Sequence, residues 1–124
     1  DHTAEQRREQ WMEISSELGN PVVNWEGQED SLANQWQKQL HLYEVPFYYI
    51  EYGMAQLGAI AMWREYILKG EVALDNYTKA LKLGYTKSIG EIYETAGIQF
   101  DFSVNYVKEL SEFIKTQLSE IDNN

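Results

Sequence analysis

The 124-residue sequence contains no cysteine, which excludes disulfide bonds, thiolate zinc sites and cysteine nucleophiles. The absence favours a cytoplasmic protein, because disulfides are rare in that compartment, and no signal peptide is recognisable. Basic residues are also few: ten lysines and arginines stand against twenty acidic residues, giving a net charge of -10. Nucleic acids and anionic membrane surfaces both require a basic patch, so neither is expected as a partner.

The most apolar stretch of the chain runs from Val45 to Trp63 and carries only two strongly polar side chains, Glu51 and Gln56. A proline near its start and a glycine beyond its end predict one long helix over about 46–69. A helix that is apolar on nearly every face either lies in a protein core or spans a membrane. Glu51 in mid-run and the polar flanks favour the buried helix, and no membrane partner is expected.

Helix signals also flank this stretch. Further helices are expected over about 3–18, from about Asp30 to before Pro46, over 71–83, from Ser88 to Gly97, and from Ser103 onward. No segment shows the alternation of a half-buried strand. The sequence therefore predicts an all-α fold, with about six helices packed around one long buried helix, no sheet, and a single domain over residues 1–124.

A histidine and three tyrosines stand where the long helix is expected to begin. Tyr48, Tyr49 and Tyr52 are spaced so that their phenols lie on adjacent faces of the first two turns, and His41 precedes them. Tyrosine hydroxyls are neutral donors at pH 7, so they can bind a peptide carbonyl or stabilise an oxyanion. The same spacing is typical of packed aromatics, and a histidine at a helix end often bonds a carbonyl. The pattern therefore leaves packing and function both open.

Other catalytic arrangements find little support. His41 with Glu44 lacks the third ligand that a metal site needs, and the motif HExxH is absent. No Ser-His-Asp arrangement, phosphate loop or pair of catalytic carboxylates is recognisable. Glu51 in a buried helix would need a partner on another element, and a structural ion pair is favoured over a general base.

Residues 41–63, HLYEVPFYYIEYGMAQLGAIAMW, resemble the stretch near the C-terminus of oligoendopeptidase F-like enzymes, in the thimet oligopeptidase and neurolysin family of zinc metallopeptidases. The likeness covers essentially the whole chain. The segments HTAEQRREQW, VNWEG and YTKALKLGYTKSIGEIYETAGIQFDFS, followed by the last helix, occur in the order of that family. The resemblance implies an all-helical part of a larger catalytic domain whose deep channel admits short peptides.

The resemblance also implies roles for individual residues. In the family, zinc is held by the two histidines of HExxH and a later glutamate, all of which we expect upstream of Asp1. No metal site and no cofactor are therefore expected in this chain itself. By position, His41, Tyr49 and Tyr52 match residues that bind the substrate backbone and stabilise the tetrahedral intermediate, and Tyr48 joins the substrate-binding set.

Two functions follow from these expectations. The first is the C-terminal portion of a zinc-dependent oligopeptidase, which supplies the His/Tyr side of the cleft and is inactive by itself. Its partners would be short peptides and the N-terminal, zinc-bearing part of the enzyme. The alternative is a non-catalytic helical module, derived from the peptidase C-terminus, that binds a partner or forms a homo-oligomer through exposed apolar cleft surface.

Overall fold

Helices make up nearly all of the regular structure in the computed structural model, which describes residues 1–123. Over these residues the chain forms α1 (Ala4–Leu18), α2 (Glu29–Ala33), α3 (His41–Glu44), α4 (Tyr49–Lys69), α5 (Glu71–Leu83), α6 (Ile89–Ala96) and α7 (Val104–Asp122), with a 3-10 helix (Gln35–Lys38) between α2 and α3. This described part of the chain has no strand, so the predicted all-α fold is confirmed. None of its helices is long and apolar enough to cross a membrane.

The chain divides into two compact units. The first covers Asp1–Tyr49 and the second begins at Ile50, so the boundary falls at the first residue of α4. In the first unit, Arg8 of α1 forms an ion pair with Asp30 of α2 at 2.9 Å. In the second, α5 and α6 pack against each other. The single domain predicted over residues 1–124 stays a prediction.

Side-chain caps begin three of the helices at the predicted residues, Thr3, Ser88 and Ser103, and two of the caps are reciprocal. The Gln6 N–H donates to Thr3 Oγ1 at 3.2 Å, and the Thr3 N–H donates to Gln6 Oε1 at 2.9 Å. Ser88 and Glu91 form the same reciprocal arrangement at the start of α6. Hydrogen bonds from the backbone N–H and the hydroxyl of Ser88 lower the pKa of the Glu91 carboxyl. Each cap satisfies N–H groups that the first turn of a helix leaves without a backbone partner.

The continuous helix predicted from Asp30 to Pro46 is wrong. The segment is divided into α2, the 3-10 helix and α3, with breaks at Asn34 and Gln39. The Asn34 side chain donates to the Asp30 carbonyl at 2.8 Å, which is the acceptor that a backbone N–H would use in a continuous helix. The next turn is held by a 3-10-type bond from the Gln37 N–H to the Asn34 carbonyl at 3.0 Å.

The long helix α4 begins three residues later than predicted, because Pro46 lies in a turn instead of in the helix. The Tyr48 N–H donates to the Val45 carbonyl at 3.1 Å, and Phe47 has a φ of +68°. Proline at the second position and a positive φ at the third are typical of a type II turn. The turn places a residue other than glycine in a conformation that L-amino acids rarely adopt.

Burial of α4 is confined to one face, whereas the sequence predicted burial on nearly every face. Ala61 is fully buried and packs with Tyr106 and Leu110 of α7. The half-buried side chains around this cluster are Leu57, Ile60 and Ile98. Glu51 and Gln56 are exposed. The predicted buried ion pair of Glu51 is therefore wrong, because a carboxylate in contact with water needs no partner.

Aromatic and charged side chains extend the contact between α4 and α7. The rings of Trp63 and Phe113 pack edge to face with their centroids 4.9 Å apart. The Arg64 guanidinium carbon lies 5.6 Å from the ring centroid of Tyr106, and Arg64 Nη1 lies 3.8 Å from Glu109 Oε2. The two helices are thus held by an apolar centre with a charged edge.

Tyr93 of α6 packs on the backbone of α4. Its hydroxyl donates to the Met54 carbonyl at 3.5 Å, and a Cβ added at Gly58 would lie 2.5 Å from that hydroxyl oxygen. Only glycine leaves room for the phenol so close to the helix. The Phe100 ring packs edge to face on Tyr93 at 5.1 Å. Burial raises the pKa of the Tyr93 phenol, and the neighbouring Tyr106 adds to the rise.

The α4–α7 contact predicts a large difference between two leucines of α7. Leu110→Ala should lower the free energy of unfolding by about 2 to 4 kcal/mol, because the side chain is 1% exposed and its loss leaves a cavity. Leu118→Ala is the matched control, since Leu118 is 56% exposed and its removal should change stability by less than about 1 kcal/mol. Urea denaturation followed by circular dichroism measures both. Equal losses would contradict this core.

Candidate functional site

The predicted site residues belong to both units. His41, Tyr48 and Tyr49 lie in the first unit, and Tyr52 lies in the second. Within the first unit, His41 is the first residue of α3 and Tyr49 is the first residue of α4, and the turn at Pro46 lies between these two helices. That turn brings the two tyrosine rings back onto the imidazole of His41.

His41 lies between two tyrosine rings. Its imidazole stacks on Tyr48, with centroids 5.7 Å apart and planes inclined by 15°, and meets Tyr49 edge to face at 5.3 Å. His41 is half-buried, while Tyr48 and Tyr49 are 40% and 43% exposed. The cluster therefore combines aromatic packing with side chains that are partly exposed.

Gln39 is a member of this cluster that the sequence analysis missed. The Tyr49 hydroxyl donates to Gln39 Oε1. The two residues are ten positions apart and separated by a turn, so no helical spacing connects them. The bond uses the one proton of the phenol, whereas the phenol oxygen can still accept. Tyr49 can donate to a ligand only after it leaves Gln39.

Tyr52 lies in the first turn of α4, and its side chain is 51% exposed. Beside it, a Cβ added at Gly53 would meet no atom within 4 Å. The helix surface at Gly53 therefore has room for a side-chain atom. A phenol at such a position combines a rigid aromatic stem with a neutral hydrogen-bond donor.

The side chains of residues 1–123 do not fit a zinc ion. No group of three or more His, Cys, Asp or Glu in this range is placed to hold a metal. Zinc sites in proteins take three or four such ligands.

The bond between Tyr49 and Gln39 can be measured with a double-mutant cycle. Tyr49→Phe and Gln39→Ala each remove one partner, and we expect a coupling free energy of about 0.5 to 1 kcal/mol from urea denaturation. Tyr43→Phe is the matched control, since Tyr43 is 53% exposed in the same unit and should combine additively with Gln39→Ala. Additive effects of Tyr49→Phe and Gln39→Ala would show that the bond does not stabilise the cluster.

Comparison with known protein families finds a match to Peptidase family M3 over residues 1–112 of the 124. The matched range includes His41, Tyr48, Tyr49 and Tyr52. No curated protein and no solved structure matches the chain.

Proposed function

Since the chain belongs to peptidase family M3, the family of thimet oligopeptidase-like metallopeptidases, we propose that it is the C-terminal portion of a zinc-dependent oligopeptidase that hydrolyses short peptides. The family match over residues 1–112 is the observation that carries this proposal. Because the described residues do not fit a zinc ion, the proposal assigns the metal to an N-terminal partner segment. A cytoplasmic location belongs to the same proposal and rests on the absence of cysteine.

In this proposal Tyr52 is the main oxyanion donor. Its hydroxyl donates a hydrogen bond to the carbonyl oxygen of the scissile peptide bond, which becomes negatively charged when that bond is attacked. A phenol stays protonated at neutral pH, so it acts as a donor without any prior proton transfer. The half-exposed side chain of Tyr52 supports the assignment, since a substrate can reach it.

The cluster around His41 binds the substrate backbone in the same proposal. The imidazole between Tyr48 and Tyr49 is restrained by packing, so its ring nitrogens keep a defined direction for a peptide group. Tyr48 contributes to binding through its partly exposed ring. Tyr49 is a second oxyanion donor, and its bond to Gln39 has to open before it acts.

The proposal is tested by Tyr52→Phe in an active enzyme that contains this chain. The turnover of a short peptide should fall at least about tenfold, and by as much as about 10³-fold, because the variant loses one donor to the charged oxygen. Zinc content should not change. Tyr85→Phe is the matched control, since Tyr85 is fully exposed and should keep normal turnover. Unchanged turnover in Tyr52→Phe would remove the proposed role.

A second candidate function is self-assembly as a non-catalytic module. Within the second unit, a groove of about 320 Å³ is lined by Ala59, Met62, Trp63 and Tyr66 of α4 and by Leu74 and Tyr77 of α5. The aromatic side chains of this groove are between 41% and 47% exposed. Exposed apolar surface of this kind is typical of protein–protein contacts. In this alternative, a second copy of the chain binds in the groove and forms a homodimer.

Sedimentation analysis separates the two functions. Under the alternative, the 124-residue chain should dimerise more strongly at high salt, because screening weakens the repulsion between two copies that each carry a charge of -10. Tyr66→Glu should abolish the dimer, whereas Tyr85→Glu, outside the groove, should not. A chain that stays monomeric at every salt concentration would contradict self-assembly.

A further inference from the structure

The contact of Tyr93 with α4 lies close to Tyr52 along the helix. Tyr93 reaches the Met54 carbonyl, two residues after Tyr52, and the Cβ position of Gly58, six residues after it. Six residues correspond to about 9 Å along a helix axis. The phenol of Tyr93 therefore supports α4 directly behind the turn that carries Tyr52.

Tyr93 is itself restrained by aromatic packing. The Phe100 ring meets it edge to face, with centroids 5.1 Å apart and planes inclined by 79°. Phe102 meets Phe100 in the same way at 5.0 Å and 89°. Both phenylalanines belong to the segment between α6 and α7, so the Tyr93 ring is tied to two elements besides its own helix. Because the Tyr93 ring is closely packed on these neighbours, it cannot change its position easily when α4 moves.

We propose that Tyr93 is a positioning residue, whose phenol on Gly58 and Met54 fixes the course of the first turns of α4 and thereby the direction of the Tyr52 hydroxyl. The catalytic meaning of this inference rests on the proposed function. The effect of Tyr93 on the position of the Tyr52 side chain does not depend on the proposed function, and it can be measured in the 124-residue chain by itself.

A small movement at this contact has a large effect at Tyr52. A tilt of about 6° around Gly58 moves a point about 9 Å away by about 1 Å. A misplacement of that size in a group that acts on a substrate can lower a rate by about 10²-fold. The absence of a side chain at Gly58 lets the phenol approach, and the phenol in turn limits how α4 can tilt.

The first experiment follows the Tyr52 ring by NMR in the 124-residue chain with labelled tyrosine. Tyr93→Phe and Gly58→Ala should each shift the Tyr52 ring signals by more than a linewidth. The double variant should move back toward the position of Tyr93→Phe, because the hydroxyl oxygen 2.5 Å from the new Cβ is then absent and the nearest remaining atoms are two ring carbons at 3.1 and 3.3 Å. Gly90→Ala is the matched control, since a Cβ there meets no atom within 4 Å and should leave Tyr52 unshifted.

A purely structural role gives a different result. In that case Tyr93→Phe and Gly58→Ala lower the midpoint of thermal unfolding but leave the Tyr52 signals in place, and the inference is overturned. If Gly58→Ala does not fold, Tyr93→Phe alone tests the inference, and unshifted Tyr52 ring signals in that variant overturn it.

The second experiment uses an active enzyme that contains this chain. Tyr93→Phe should lower kcat by about tenfold with little change in KM, and it should cause no further loss in the Tyr52→Phe background. The same loss in both backgrounds would overturn the inference. If Tyr52→Phe by itself keeps full activity, the proposed function fails, and the NMR result still decides whether Tyr93 positions Tyr52.

Discussion

The packing of Ala61 against Tyr106 and Leu110 forms the buried apolar cluster of the second unit. Ala61 is the only residue of α4 that is fully buried, and Leu110 is the largest fully buried side chain among residues 1–123. A small side chain at position 61 lets α7 approach α4, and the Trp63–Phe113 pair then extends the contact. The apolar composition of α4 alone does not decide which face is buried. That face is set by the position of one alanine opposite a tyrosine and a leucine.

Local hydrogen bonds explain which parts of the fold can be predicted from sequence. The starts of α1, α6 and α7 follow from Thr3, Ser88 and Ser103, because a cap and its partner lie within three residues. The break at Asn34 cannot be predicted in this way. The Asp30 carbonyl can accept a hydrogen bond either from the backbone N–H of Asn34, which continues the helix, or from the Asn34 side chain, which interrupts it. The spacing of apolar residues does not distinguish these two hydrogen bonds.

Burial could not be predicted because it depends on the elements that contact a helix. When nearly every face is apolar, a spacing of 3.6 residues selects none of them. Ile67 and Leu68 of α4 are 52% and 68% exposed, although their apolar side chains do not distinguish them from Ala61 in the sequence. For the same reason Glu51 was expected to need a partner and instead lies at the surface. The candidate tyrosines stay a prediction from the sequence, whereas the contacts of Gln39 and Tyr93 could be found only in the fold.

The bond between Tyr49 and Gln39 shows how the fold can favour a transition state under the proposed function. Gln39 offers an amide oxygen to the phenol, and a substrate offers the oxygen of a peptide group, so the exchange of one for the other is nearly neutral in the ground state. When negative charge develops on the substrate oxygen, that oxygen becomes the stronger acceptor, since charge-assisted hydrogen bonds are about twice as strong as neutral ones. The hydrogen bond from the phenol to the substrate therefore becomes more favourable than its bond to Gln39 only in the transition state. An interaction of this kind raises the reaction rate, whereas one that is equally strong in the ground state only tightens substrate binding.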